Sequence, residues 1–215
     1  MFSKAKHLFT FGMILILFPS CKNEIKQEEN SAETIANVGA LAVVDTTAQK
    51  YPIWILEFQK LRQALYQNDT ATIKSFFDFP FTDEQADGLK AAVYFNTNKE
   101  LGKAVRLNTK IEFEKYCNQI FPTLFVNGLL SLKSDSLAKN KLERSAGWKK
   151  PNDNAKYYSS VSYDEFERTL SLMLNAEYGN KDEETESATV YIFKLDKNNK
   201  LKFDRVEMAG ENSKY

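Results

Sequence analysis

Residues 51–81, YPIWILEFQKLRQALYQNDTATIKSFFDFPF, decide how the rest of the chain is read. Trp54, Phe58, Leu61 and Leu65 recur at steps of four, three and four, which aligns them on one stripe of a helix. Pro52 suits the first turn, where a missing N–H costs nothing. The pattern restarts after Asn68 and Asp69 with Ile73, Phe76 and Phe77. Asp69 is the expected N-cap of this second helix, because its carboxylate accepts an orphan N–H. Pro80 is expected to end it, with Phe79 pushed to an extended conformation. The reading is a helical hairpin with a wide aromatic face that needs a sheet to cover it.

The sheet is legible downstream, where the period changes to two. Tyr157, Ser159, Val161 and Tyr163 alternate with Tyr158, Ser160 and Ser162. Phe166, Arg168, Leu170, Leu172, Leu174 and Ala176 then alternate with Glu167, Thr169, Ser171, Met173 and Asn175, which predicts one long half-buried strand. After a charged turn over residues 179–186, residues 188–195 are apolar on both faces and need cover on both. Residues 196–200 turn the chain again. In the last strand the apolar positions slip from Leu201 and Phe203 to Val206 and Met208, which predicts a bulge near Asp204. Neighbouring strands with short turns make an antiparallel meander.

Between hairpin and sheet the signals are mixed. Thr82 and Gln85 have the spacing of a capping box, but Gly88 follows soon, so a short helix is expected there, then a short strand at residues 91–95. Residues 96–106 carry no assignment. Thr109 and Glu112 make a better capping box, followed by an apolar face of Phe113, Tyr116, Cys117, Ile120 and Phe121. Pro122 breaks or restarts that helix. Cys117 lies in the stripe and reads as a small buried hydrophobe. Residues 133–151 are polar and read as a long connection, with Trp148 covering a core edge.

The chain has 215 residues, 43% apolar and 27% charged, an ordinary globular composition. Lys and Arg number 29, Asp and Glu 29. Without a basic excess, nucleic acid is not an expected partner. The N-terminus has Lys4, Lys6 and His7 before an apolar run over residues 8–18, the pattern of a secretory signal too short for a comfortable membrane span. His7 is the only histidine. A chain that loses this leader has no Ser-His-Asp or Cys-His machinery and no imidazole metal ligand.

Phe18, Pro19, Ser20 and Cys21 resemble a bacterial lipobox, which implies a diacylglycerol on Cys21 and a mature protein beginning there. Cys21, Lys22, Asn23 and Glu24 also resemble the surface-export signal of Bacteroidota lipoproteins. The implied organisation is a signal peptide over residues 1–20, a tether over 21–50, one α+β domain over 51–210 and a tail over 211–215. The implied location is the cell envelope, on an outer membrane, facing the periplasm or the cell surface.

Helices first, then a meander with one bulged strand, resembles the nuclear transport factor two-like superfamily over residues 51–210. The resemblance rests on element order, on residues 76–80, FFDFP, and on the closing strand KLKFDRVEMAG. It implies an α+β cone: N-terminal helices packed on a curved antiparallel sheet, with a pocket at the open end. Some members of that superfamily are enzymes and many only bind, and fold does not choose between them.

Three functional classes stay open at this point. The first is a membrane-anchored, non-catalytic domain that binds a small molecule, a glycan or a protein partner. The second is an isomerase- or dehydratase-type enzyme using carboxylates and tyrosines in a dry pocket. The third is a sheet-mediated homodimer or scaffold. No catalytic residue is assigned, because no pattern marks one. Arg168, a charge on the apolar side of the best strand, and its neighbour Tyr163 are the candidate pocket residues: an arginine there would present a forked pair of donors to an anionic or carbonyl group. No cofactor is expected, since there is no P-loop, dinucleotide fingerprint or Cys-x-x-Cys. Asp182, Glu183, Glu184 and Glu186 read as a solvated hairpin tip, and no metal site is assigned.

Overall fold

The computed structural model describes residues 50–150, 153–179 and 185–210. Cys21, with the expected leader and tether, lies outside them, as do the tail and most of the acidic tip.

The hairpin forms as α1, Ile53–Gln67, and α2, Thr70–Ser75. Trp54, Phe58, Leu61 and Leu65 are all buried. Asp69 caps α2 by accepting the Thr72 N–H at 3.1 Å. The second helix is shorter than expected: it stops at Ser75, well before Pro80. The Phe76 carbonyl is taken instead by the N–H of Phe203 in the last strand, at 2.8 Å. That bond ties the aromatic segment to the sheet edge.

α3, Asp83–Thr97, is long, and residues 91–95 belong to it rather than to a strand. Its capping box is complete, with Thr82 and Gln85 bonded reciprocally. Gly88 does not shorten it, because the glycine serves packing: a Cβ there would sit 3.2 Å from the Val206 Cβ. α4, Lys110–Ile120, starts at the Thr109 cap as expected, and α5, Thr123–Ser131, restarts after Pro122. Arg62 reaches from α1 to the carboxyl end of α5, donating to the carbonyls of Leu129 at 3.2 Å and Leu132 at 2.8 Å. These are orphan acceptors at a helix end.

Residues 133–151 are not a plain connection. They hold α6, Ser134–Asn140, and the short strands β1, Leu142–Arg144, and β2, Trp148–Lys149. Both pair with β3, Lys156–Asp164. β4, Thr169–Tyr178, β5, Thr185–Leu195, and β6, Leu201–Gly210, complete an antiparallel sheet in the order β1-β3-β4-β5-β6. The fold is thus α+β, with an open sheet.

The alternation over β4 holds: Leu170, Leu172, Leu174 and Ala176 are buried. The strand does not extend back to Phe166. Residues 165–168 form the turn between β3 and β4, where Phe166 is 92% exposed and Arg168 takes a left-handed φ of 55°. Asp164 accepts the N–H groups of Phe166 and Glu167 at 2.8 and 2.9 Å, a local turn that competes with the ladder. The expected bulge is present: Ile192 pairs with Arg205 and Phe193 with Phe203, so Asp204 is the extra residue. Register places Tyr157, Leu174, Thr189, Tyr191, Phe193, Leu201, Phe203, Val206 and Met208 on one face, called inner here. α5 comes so close to it that a Cβ at Gly128 would lie 2.2 Å from the Ser159 hydroxyl.

Candidate functional site

Arg168 and Tyr163 do come together, at the end of the sheet near the β3–β4 turn. Tyr163 stacks on Trp54, with ring centroids 4.3 Å apart and planes 7° apart. Burial pushes its phenol above the usual range, and the Arg168 guanidinium opposes that shift. Arg168 is exposed and stands in the turn outside the strand; its Nη2 donates to Asn199 Oδ1 at 2.6 Å across the next turn.

The inner face changes character toward the other end. Asn96, in the last turn of α3, is only 8% exposed. Its Nδ2 donates to the carbonyls of Ile120 at 2.8 Å and Gln119 at 3.1 Å, closing the carboxyl end of α4. It also reaches the Tyr191 hydroxyl at 2.9 Å, and that hydroxyl donates to the Ile120 carbonyl. These contacts use the amide nitrogen and fix its orientation. They leave Asn96 Oδ1 buried with no hydrogen-bond partner. Such an acceptor costs about 1–3 kcal/mol unless a donor reaches it.

Asn96 lines a cavity of about 30 Å³ with Phe95, Tyr157, Leu174, Thr189 and Met208. That is room for ordered water, and the polar wall suits it. Leu174 and Thr189 are partners in the β4–β5 register and Met208 faces Thr189 across the β5–β6 register, so the sheet itself builds the floor.

The titratable groups nearby are shifted away from neutrality. Burial pushes the Tyr157 phenol up, and its hydrogen bond to Asp153 adds to the shift. The same bond, at 2.5 Å, holds the Asp153 carboxyl below the usual range. Burial likewise raises Tyr191, and it pushes the Cys117 thiol up to about 12. A thiol so placed carries little nucleophilic thiolate. Among the described residues no group of three His, Cys, Asp or Glu side chains is placed to hold a metal ion, and no helix is long and apolar enough to cross a membrane.

Asn96 has no signature in the sequence, since an asparagine near a helix end usually faces water. Thr189 had one. Extending the inward alternation of Phe193 and Tyr191 by one step reaches a small polar residue inside an apolar run. No family model matches the chain, and neither a curated protein nor a solved structure matches it.

Proposed function

We propose that this is a cell-envelope protein, anchored to the outer membrane through lipid on Cys21, whose α+β domain binds a small molecule without transforming it. The observation that carries the binding reading is Asn96, a residue that lines the cavity and whose buried Oδ1 has no hydrogen-bond partner. A buried acceptor without a donor favours a ligand that brings an N–H or O–H. The titration directions support binding over proton transfer. A general acid or base works best with a pKa near the working pH. Tyr157 is shifted up and Asp153 down, away from it.

Binding is tested with benzamide, a planar apolar probe with an amide donor. Titrated into methyl-labelled protein, it is expected to move the Leu174 and Met208 methyl resonances first. Shifts confined to other surfaces would overturn the binding site. The anchor is tested separately. Cys21→Ser is expected to leave the membrane fraction or stay unprocessed, and to take up no labelled fatty acid. Acylation equal to that of the unmutated chain would remove the lipoprotein reading.

A further inference from the structure

A cavity of about 30 Å³ admits the donor end of a ligand, and its apolar body must lie outside it. Next to it lies an outward cleft of about 290 Å³, formed by Lys90, Ala91, Tyr94, Phe95, Glu100 and Leu101. Phe95 lines both spaces. We propose that cavity and cleft are two halves of one binding site, divided by the Phe95 ring, and that it takes an elongated, uncharged, largely apolar molecule with a single N–H or O–H donor at its inner end. This rests on the reading of the cavity as a ligand site.

Phe95 is half-buried. Its one aromatic neighbour among the described residues is Tyr94, edge-on at 5.8 Å, and Tyr94 is itself exposed. Phe77, by contrast, touches six other rings. A half-buried ring outside any cage of other rings changes rotamer more readily than one held as Phe77 is. Turned aside, it joins the two spaces into one on the order of 300 Å³, the lower end of the range for small-molecule sites. The walls then fix the ligand. Leu174 and Met208 give the inner end apolar contact, and Asn96 Oδ1 accepts its donor. Ala91, Tyr94 and Leu101 flank the outer end, with Lys90 and Glu100 where the cleft meets water. An uncharged body suits this site, because the inner half offers no charged group to neutralise one.

The experiment uses 4-propylbenzamide and its N,N-dimethyl analogue, titrated into the methyl-labelled full chain in detergent micelles. 4-Propylbenzamide is expected to move Leu174, Met208 and Leu101 together in the unmutated protein. The dimethyl analogue, with no donor for Asn96, is expected to bind at least about tenfold more weakly. Removing the partition removes the cost of waiting for an open rotamer, so Phe95→Ala is expected to bind about tenfold tighter, with Phe95→Leu between the two. Ala176 also lines the inner half, and Ala176→Val, which fills it, is expected to abolish the Leu174 and Met208 shifts. If those methyls shift without Leu101 and both Phe95 variants keep the original affinity, the composite site is overturned while the binding reading stands. If neither methyl shifts in any variant, both fall.

Discussion

The two ends of the inner sheet face are built on opposite principles. At one end Phe77 sits among Phe79, Phe81, Phe113, Phe121, Phe193 and Phe203, with centroids from 4.4 to 6.4 Å. All six pairs are tilted or edge-on, the geometry that ring quadrupoles favour. At the other end the same two strands, β5 and β6, present Thr189 and Met208, β3 adds Tyr157, and α3 contributes an asparagine with an unpaired oxygen. Phe121 links this cluster to Tyr191, which stands between the two ends, ring to ring at 4.8 Å. One sheet thus devotes one half to dispersion and the other to a small polar-walled cavity, and the proposed binding site lies away from the aromatic core.

The largest effect expected is at the aromatic end. Phe77→Ala should lower the unfolding free energy by about 3–5 kcal/mol, through lost transfer energy and an unfilled cavity. Chemical denaturation measures it. A loss under about 1 kcal/mol would mean that the ring cluster relaxes around the gap, and the contrast between the ends would break.

Asn96→Ala should cost less, about 1–3 kcal/mol, since it strips the Ile120 and Gln119 carbonyls of a donor while also removing an orphan acceptor. A loss as large as that of Phe77→Ala would make the cavity end part of the core rather than a site set upon it.

The aromatic end could be read directly from the sequence, because burial there follows from periodicity. Phe76, Phe77, Phe193 and Phe203 declare themselves by type and spacing. So did the bulge at Asp204, since a slipped alternation has one physical meaning in a strand. The misreadings have local causes. Gly88 looked like a helix breaker, yet its missing side chain is what lets α3 lie against Val206. Phe166 and Arg168 kept the alternation of β4 by coincidence, and the Asp164 carboxylate redirected the backbone before the ladder began. The cavity end was illegible for a different reason. Asn96 is defined by what surrounds it: two carbonyls ending α4 and a hydroxyl from β5, residues 23 to 95 positions away in sequence. No local pattern encodes such a meeting.

The smallest effect expected is at the rim of the cavity, where Asp153 accepts the Tyr157 hydroxyl. That hydrogen bond, followed by one from the Ala155 N–H, depresses the Asp153 carboxyl in the folded state. A carboxyl depressed on folding stabilises fully above its unfolded value, about 3.9, and that stabilisation is lost as pH falls through the lower folded value. Asp153 is half-buried and still reached by water, so solvent screening keeps the contribution under about 1 kcal/mol. Asp69, Glu114, Asp135, Glu177 and Asp196 are depressed too, so the whole domain should weaken in acid. The informative quantity is therefore a difference. Asp153→Asn should melt slightly below the unmutated protein at pH 6, and the gap should shrink from about pH 4 downward and close as the native carboxylate is protonated at its lower folded value. Tyr157 lines the cavity, so the Leu174 and Met208 methyls should report the same titration while those around Phe77 do not. A gap that persists unchanged at pH 2.5 would show that Asp153 acts through packing or the loop backbone rather than through its charge.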